Sequence, residues 1–317
     1  MKKILFSLAL AAVTMASQAQ NMFNHLDLGV TLGTTGIGLD AAMPVGNYVK
    51  LRTGLEVMPR FNYDMHFGVE SYGEGGVPSS ASLDRMSEVL YELTGFKVDQ
   101  DITMKGKPTM WNFKFLVDVY PFKNNKHWHV TAGFHWGPSK IAEAVNAIED
   151  SPSLFAVGMY NHLYDVAYQD WVLDIPTPII ATETTGEVYM APKIEKALLN
   201  MGRMGVPLGK YKDGGGTYYM EPNENSMVYA NAYANSFKPY LGFGYEGRLI
   251  KGNDNYKIGF DVGLMFWGGT PDVITHDGTN LTKDIEDIKG KVGDYVKFIK
   301  GVKVFPVLNL RITRRIF

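Results

Sequence analysis

The chain lacks several features that would assign a protein to a common class. It has no cysteine among its 317 residues, which excludes disulfides and thiolate metal sites. Its 31 basic and 33 acidic side chains nearly cancel, so no nucleic acid or other charged polymer is expected as a partner. Beyond the N-terminus, no apolar run approaches the roughly 20 residues that a membrane-spanning helix needs.

The N-terminus has the pattern of a secretory signal. Two lysines precede a short apolar run over residues 4–13, and small residues follow it. The run is too short for a transmembrane anchor. We expect a signal peptide over residues 1–19, cleaved between Ala19 and Gln20, and a single mature domain over residues 20–317. The protein is therefore expected to be exported through the general secretory pathway.

The mature sequence alternates apolar residues with polar or small ones, at the period of two that is typical of β-strands. The segment "YKIGFDVGLMFW" is the clearest case. One face of this predicted strand carries Tyr256, Ile258, Phe260, Val262, Leu264 and Phe266. The other face carries Lys257, Gly259, Asp261, Gly263, Met265 and Trp267.

The same alternation recurs along the chain and predicts an all-β protein of eight strands. The first stretch, residues 26–43, divides at "GTTG" and forms either a hairpin or one long bulged strand. The other six predicted strands lie within residues 48–61, 110–122, 127–137, 237–249, 256–267 and from about 302 to the end.

Two architectures use such strands with opposite faces inward. A secreted β-sandwich buries the apolar face, whereas a membrane barrel turns it outward to lipid. The alternating runs span about 9–14 residues, longer than the ~5–6 of a typical strand and close to the ~9–11 of a membrane-spanning one. Strand length therefore favours the barrel over the sandwich.

Aromatic placement and loop length also favour the barrel. The predicted connections alternate between short polar turns and long loops at about 62–108, 140–235 and 269–300, as periplasmic turns and extracellular loops do. Aromatic residues near the two sets of connections predict two interfacial girdles. These residues are Tyr48, Phe122, Trp128 and Tyr256 near the turns, and Phe61, Trp111, Trp136 and Phe266 near the loops.

The exported N-terminus, the segment "GTTGIGLDAAMPVGNYVKLRTGLEVMP", the paired turns and the terminal Phe317 resemble small outer-membrane β-barrel proteins of Gram-negative envelopes. This is the OmpA/OmpX-like and porin-family group. The resemblance implies an eight-stranded antiparallel up-and-down transmembrane barrel with periplasmic termini, in contact with outer-membrane lipid. It also implies a monomer that the β-barrel assembly machinery inserts.

The predicted lumen is rich in charge. Side chains just fill the interior of an eight-stranded barrel, and charges of both signs there can pair with one another. We predict a salt-bridged plug; the alternative is a narrow porin-like channel for small solutes. The predicted lumen network comprises Lys50, Arg52, Glu56, Arg60, Lys114, Asp118, Glu246, Arg248, Lys257, Asp261, Lys303 and Arg311.

Three histidines, His127, His129 and His135, share one face of a predicted strand. Histidine is a common metal ligand, but hydrogen bonding within the lumen accounts for these residues more simply. We expect no metal site and no cofactor.

The long loops contain predicted short helices at residues 82–95, 191–202 and 282–292, and the middle loop is rich in tyrosine and asparagine. Loops of this length with apolar helical faces are expected to be folded, and tyrosine and asparagine suit adaptable recognition. The leading hypothesis is a non-enzymatic barrel whose partly helical extracellular loops bind a ligand or shield the cell surface.

An outer-membrane enzyme is a further alternative, which would need a nucleophile or activated water beside a positioned base. The loop sequences are too short and too common to form a catalytic motif, so we predict no catalytic residue. The candidates would be His66, His162 and His276 with Asp64, Asp165 and Asp277.

The chain ends on "LNLRITRRIF", a predicted closing strand. The resemblance implies that this strand carries a C-terminal signal for assembly, formed by Leu310, Ile312, Ile316 and Phe317. The alternation, however, places Ile316 rather than Phe317 on the outward face. Either Ile316 is the outward residue at the rim, or a bulge at residues 314–315 turns Phe317 to lipid; we expect the bulge.

Overall fold

The structure is a computed structural model that describes residues 25–72, 87–88, 90–91, 95–99, 101–182, 186–288, 290–301 and 303–316. The predicted signal peptide with its cleavage site at Ala19 and Gln20, and the terminal Phe317, lie outside the described residues. So does most of the predicted helix at 82–95.

The described chain is mostly β-structure with three helices. The strands are β1 (Asp27–Gly33), β2 (Gly36–Pro44), β3 (Val49–Val57), β4 (Tyr63–Gly68), β5 (Glu70–Tyr72), β6 (Asp101–Pro108), β7 (Trp111–Val119), β8 (Trp128–Trp136), β9 (Lys140–Asn146), β10 (Pro178–Thr182), β11 (Gly186–Tyr189), β12 (Arg203–Tyr211), β13 (Thr217–Met220), β14 (Tyr229–Tyr233), β15 (Phe237–Ile250), β16 (Asn253–Phe266), β17 (Asp272–Thr275), β18 (Ile285–Glu286) and β19 (Val304–Arg315). The helices are α1 (Ser151–Leu173), α2 (Pro192–Met201) and α3 (Gly290–Gly301).

Eight strands, β1, β2, β3, β7, β8, β15, β16 and β19, form a closed antiparallel barrel. Each pairs with the next along the chain, and β19 closes the barrel by pairing with β1. The predicted eight-stranded up-and-down barrel is therefore confirmed. The hairpin at "GTTG" is also present, because β1 and β2 pair from Asp27 and Ala42 to Gly33 and Gly36.

Gly36 ends the tight turn of this first hairpin at a position that only glycine fits. Its φ is +108°, a conformation that L side chains rarely adopt. A Cβ atom there would lie 2.2 Å from the carbonyl oxygen of Val57 on the neighbouring strand. The close approach of β3 therefore accounts for this residue.

The three long insertions contain far more β-structure than the predicted helical loops. Strands β4, β6, β9, β14 and β17 lie next in the chain to β3, β7, β8, β15 and β16, and they form a five-stranded sheet in the same neighbour order. Backbone hydrogen bonds cross the junctions, from Met58 N to Met110 O at 2.9 Å and from Thr109 N to Ile141 O at 2.9 Å. Five barrel strands thus continue beyond the rim as a half-wall.

The junctions between barrel and half-wall interrupt the ladder for a local reason. Pro59, Pro138 and Pro271 lie in these breaks, and proline has no N–H to donate to a strand ladder. The continuation escapes sequence analysis because each break ends the alternating pattern.

The helices and a second sheet complete a head at one end of the barrel, by which we mean the described residues of 58–110, 137–236 and 267–303. Its second sheet has the order β13–β12–β18, with β5 also on β12. The predicted helix at 191–202 is present as α2. Helix α1 occupies a segment predicted only as a recognition loop.

The predicted helix at 282–292 is wrong. Ile285 pairs with Tyr211 of β12, so this segment forms strand β18. Asp287 then has a φ of +53°, which an α-helix cannot continue through. Helix α3 therefore begins only at Gly290. Within the described chain, none of the helices combines the length and the apolar character needed to cross a membrane.

Candidate functional site

The outer wall of the barrel is apolar and exposed. In β19, Leu308, Leu310 and Ile312 are exposed, whereas the residues between them are buried. Leu39 in β2 is 68% exposed. Other apolar residues of the wall strands are also exposed: Leu28, Val30, Leu32, Ile37, Leu55, Val57, Val119, Val130, Leu241, Phe243 and Leu264. A barrel in water would expose its polar face instead, so this wall fits a hydrocarbon environment.

The predicted girdle residues lie near the two ends of this apolar wall. At the end with the short turns, Trp128 contacts Phe260 and Tyr245 edge-on, and Arg314 lies over the Tyr256 ring. Tyr48 and Phe122 are exposed at the same end. At the head end, Trp111 and Trp136 pair at 6.4 Å between ring centroids. Phe61 and Phe266 are also exposed there.

Inside the barrel, the polar side chains form connected groups along its length. Nearest the short turns, Lys50 Nζ lies 3.0 Å from Asp27 Oδ2 and 3.0 Å from Glu246 Oε1. Arg311 reaches the other oxygen of Glu246 at 3.2 Å. Lys257, at the rim, lies 3.3 Å from Glu246. Each carboxylate here therefore faces at least one cation.

In the middle of the barrel, Arg52 joins two buried carboxylates. Its Nη1 lies 2.6 Å from Asp261 Oδ2, and its Nη2 lies 2.9 Å from Asp118 Oδ1. Thr131 donates to Asp118 at 2.7 Å, and His129 Nε2 lies 3.0 Å from Asp261. Asp118 is 0% exposed and Arg52 is 2% exposed. At this level the side chains that point into the lumen are almost fully buried.

Toward the head, Lys114 joins two buried carboxylates, as Arg52 does in the middle of the barrel. Its Nζ lies 2.7 Å from Asp40 and 2.6 Å from Glu56, and Thr31 donates to Asp40 at 2.7 Å. His135 Nδ1 lies 3.4 Å from Glu56 Oε2. An apolar layer follows beyond these charges; it contains Met110, Met265, Trp267 and Val307.

Tyr240 fills the upper lumen because two glycines make room for its ring. A Cβ atom at Gly242 or Gly263 would lie 2.4 Å or 2.5 Å from the Tyr240 hydroxyl oxygen. The ring therefore occupies the space that two side chains would otherwise take. Small residues on the inner wall thus let a long side chain close the lumen.

Most of the predicted lumen residues lie inside the barrel, but three do not. Arg60 lies beyond the end of β3, Lys303 precedes β19, and both are exposed. Arg248 lies beside the turn between β15 and β16 and forms an exposed ion pair with Asp254. In each case the alternation continues in sequence after the strand has left the barrel interior.

Several lumen residues were not predicted. Asp27 and Asp40 lie in the first hairpin, where Asp27 precedes the outward Leu28 and Asp40 follows the outward Leu39. The alternation that predicts these two strands also places both aspartates on the polar face, so the sequence carried the signal for them. The other unpredicted residues buried on the inner side are Thr31, Asn112, Thr131, Lys238, Asn309 and Thr313.

The closing strand is regular up to Arg315. Arg314 pairs with Leu28 on one side and with Tyr256 on the other, with no shift in register. The expected bulge at residues 314–315 is therefore wrong, because β1 and β16 both pair with Arg314 and β1 also pairs with Arg315 in unbroken register. Ile316 is exposed, and its N–H bonds to Leu26 O at 2.8 Å.

The residues considered for metal binding or catalysis are dispersed. His127 stacks on Tyr245, outside the lumen groups that His129 and His135 contact. His66 and His162 are exposed, and His66 contacts Thr103. Asp64 is also exposed, and Asp165 pairs with Arg203. Within the described ranges, no group of three or more histidine, aspartate or glutamate side chains could hold a metal ion.

One polar cleft in the head, of about 740 Å³, is lined by tyrosines and acidic residues. Tyr218 donates to Asp277 at 2.8 Å, and the Thr275 hydroxyl donates to the same carboxylate at 2.6 Å. Burial alone would raise the pKa of Asp277, but these hydrogen bonds and the one from the Thr279 N–H lower it below its usual value. His276 packs on Tyr229 nearby.

A second exposed surface of the head is aromatic. Tyr164, Tyr168 and Trp171 lie on one face of α1, and their rings contact in sequence at 6.2 Å and 5.9 Å. With α2 they line a cleft of about 460 Å³. Exposed tyrosine and tryptophan are enriched at binding surfaces.

The chain is similar to two crystal structures from Acinetobacter baumannii, CarO2 and CarO. Each is 13% identical to the chain and covers 93% of it. The alignments cover 100% and 99% of those chains, with TM-scores of 0.38 and 0.37. No protein-family model and no curated protein matches the chain. The barrel architecture therefore stands on the strand pairing of the chain itself.

Proposed function

We propose that the chain is a non-enzymatic, integral outer-membrane β-barrel protein whose filled barrel anchors a binding or shielding head. One observation carries the proposal: the closed barrel has inverted polarity, with apolar side chains exposed outward and charged side chains buried inside. Every backbone group of a closed barrel is paired within the wall, as a hydrocarbon environment requires.

The burial of the polar side chains in the lumen supports the role of an anchor over that of a channel. In an aqueous pore the polar lining would be exposed to water, but Asp118, Thr131 and His129 are at most 1% exposed. The apolar layer at the head end adds a second closure. Diffusion of solutes would require these groups to separate, so the narrow channel is the less favoured function.

The head supports the binding or shielding role. It presents the aromatic surface on α1 and the polar cleft around Asp277. The candidate catalytic acids have structural partners, Asp165 with Arg203 and Asp277 with Tyr218. These contacts favour binding over catalysis.

The proposal also covers the lipid contact, the membrane insertion and the oligomeric state of the barrel. The outward wall would contact outer-membrane lipid, the β-barrel assembly machinery would insert the chain, and the barrel would function as a monomer. Closure of the barrel within one chain supports the monomer, since the barrel wall itself has no open strand edge that a partner would need to complete.

Cysteine labelling tests the placement, because the chain has no native cysteine. With Trp171→Cys in the head, a membrane-impermeant maleimide should label intact cells. With Asn124→Cys in a short turn, labelling should require a permeabilised outer membrane. Equal labelling of the two variants on intact cells would contradict the proposed orientation.

A second pair of variants tests the lipid contact of the wall. Val130 points outward from the wall, and Asn124 lies in the exposed turn between β7 and β8. A fluorophore at Val130→Cys should be quenched by lipid brominated on its acyl chains in vesicles, and one at Asn124→Cys should be quenched much less. Similar quenching at both positions would argue against a membrane-spanning wall.

A further inference from the structure

An apolar cavity lies in the head, between the half-wall and helix α3. Its volume is about 460 Å³, within the range of roughly 300–1,000 Å³ that small-molecule sites occupy. The cavity does not belong to the polar lumen, because Met104, Leu208 and Met220 line it. Neither the filled barrel nor the polar cleft around Asp277 requires it.

The floor of the cavity consists of small residues from the half-wall. Gly106 pairs with Ala144, Ala144 pairs with Ala230, and Ala232 pairs with Val273. Register partners point to the same side of a sheet, so these residues form one smooth apolar face. Large side chains at these positions would fill the cavity, and the sequence has small ones.

The opposite side of the cavity comes from α3 and from β12 and β13. Helix α3 directs Val292, Val296 and Ile299 toward the half-wall. Lys107 and Glu143 also border the cavity, but they pair with each other across the sheet at 2.7 Å. A ligand would therefore meet hydrocarbon and methionine side chains rather than free charge.

Exposed aromatic residues line the opening of the cavity. Phe298 is 69% exposed and Phe61 is 60% exposed, and Tyr63 contacts Tyr295 edge-on at 5.7 Å. Phe61 follows the last residues of β3 and Pro108 precedes Trp111 of the head-end girdle. The opening therefore lies just beyond the membrane boundary of the proposed barrel.

We propose that this cavity binds the hydrocarbon chain of a single-chain amphiphile, such as a fatty acid, at the outer membrane surface. Its walls select an apolar ligand, and its volume lies in the lower part of the range for small-molecule sites, which favours one chain over a two-chain lipid. The exposed aromatic residues at the opening would leave the polar end in water. The inference extends the binding role that is proposed for the head.

Photo-crosslinking with a diazirine-labelled dodecanoic acid tests the assignment. The full-length protein would be held in nanodiscs, and labelled peptides would be mapped by mass spectrometry. Crosslinks are expected at residues 63–67, 142–144, 230–232 and 292–299. Excess unlabelled dodecanoic acid should reduce them at least tenfold.

Ala144→Phe places a ring in the middle of the cavity floor and should reduce the same crosslinks at least tenfold. Ala191→Phe, at an exposed position before α2, is the matched control and should leave them unchanged. Heat-modifiable gel mobility would verify that both barrels are folded. Cavity crosslinks that Ala144→Phe does not reduce would overturn the proposal.

A second probe distinguishes a free fatty acid from a membrane phospholipid as the source of the bound hydrocarbon chain. A phospholipid with a diazirine on one acyl chain, placed in the nanodisc, should label the outward barrel wall but not the cavity. Stronger cavity labelling by this lipid than by the fatty acid would overturn the single-chain assignment. Labelling of the wall alone by both probes would also overturn it. That last result would leave the proposed membrane anchor intact, so the two failures are distinguishable.

Discussion

At the scale of single residues, Arg52 shows why charges are stable inside this barrel. It reaches Asp118 and Asp261, and the three side chains are almost fully buried. A buried ion pair contributes little beyond its desolvation cost when it is complete, but removal of one partner leaves a buried charge uncompensated. The stability of the lumen therefore depends on completeness more than on the strength of any one contact.

Arg52→Ala should lower the free energy of unfolding by about 3–5 kcal/mol, because two carboxylates lose their shared cation. Urea unfolding of the barrel in lipid vesicles, followed by gel mobility, measures the change. Arg248→Ala is the matched control, since its pair with Asp254 is exposed, and its effect should stay within about 1 kcal/mol. Equal losses in the two variants would contradict the account of the lumen.

Asp277 makes the stability of the head dependent on pH. Its folded-state pKa is lowered, despite burial, by hydrogen bonds from Thr275, Thr279 and Tyr218. A lowered pKa stabilises the fold above the unfolded pKa of about 3.9, and this contribution is lost as the pH falls through the folded value. The unfolding temperature of the head should therefore decrease as the pH falls below about 4.

Asp277→Asn is the comparison for that experiment. The amide oxygen can still accept hydrogen bonds, but the group no longer titrates. The difference in unfolding temperature between the wild type and this variant should shrink as the pH falls from 7 to 3. A difference that stays constant over this range would show that Asp277 does not contribute as described.

At the scale of elements, sequence periodicity explains the barrel well and the head poorly. The alternation in the segment Tyr256–Trp267 reflects a physical contrast between lipid and lumen, which every residue of the strand experiences. The half-wall strand β9 has no such contrast, since one of its faces meets an apolar cavity and the other a mixed surface. The small residues of β9 also contribute little difference in hydrophobicity between its two faces.

The inward direction of the lumen side chains is predictable for the same reason, but only within the barrel strands. Asp118 and Asp261 lie within regular alternation, so their inward direction follows from sequence. Their specific partners do not, because Arg52 is 209 residues from Asp261 in sequence. Arg60 and Lys303 show the limit, since alternation cannot indicate where a strand leaves the barrel.

Besides the ion pair between Asp165 and Arg203, helix α1 contacts β12 through the buried side chain of Asn161. The Asn161 amide donates to Met204 O at 2.8 Å, and its carbonyl oxygen accepts from Met204 N at 2.9 Å. Asn161→Ala should cost about 1–3 kcal/mol, because two buried backbone groups lose their partner. Limited proteolysis should then cleave the head faster while the barrel remains heat-modifiable.

The control for this variant is Asn200→Ala, at an exposed position on α2. It should leave the cleavage rate of the head unchanged. Equal acceleration in both variants would indicate that the contact between Asn161 and β12 does not hold the helix in place.

At the scale of the whole molecule, the barrel strands are held together by contacts within the barrel. The ion pairs of the lumen join these strands to one another, as Lys114 joins Asp40 and Glu56. The head contributes most of the apolar core, including Leu154 and Ile285, and this core continues into the upper barrel at Met265. The barrel should therefore fold without the head.

Replacement of residues 58–110, 137–236 and 267–303 by short turns tests this independence. The shortened protein should insert into vesicles and retain heat-modifiable mobility, because all eight wall strands remain. Any ligand or surface interaction of the full-length protein should be lost. Ligand binding that persists in the shortened protein would place the site in the barrel and contradict the proposed role of the head.

The central claim is that the barrel anchors the head and does not conduct solutes. Its most direct test is the conductance of planar bilayers that contain the purified full-length protein, with the shortened barrel measured beside it. Because the charged side chains of the lumen pair within the barrel itself, neither protein should give discrete conductance steps above the background of the bare bilayer. Substantial, reproducible single-channel steps from the full-length protein would contradict the account and favour a channel.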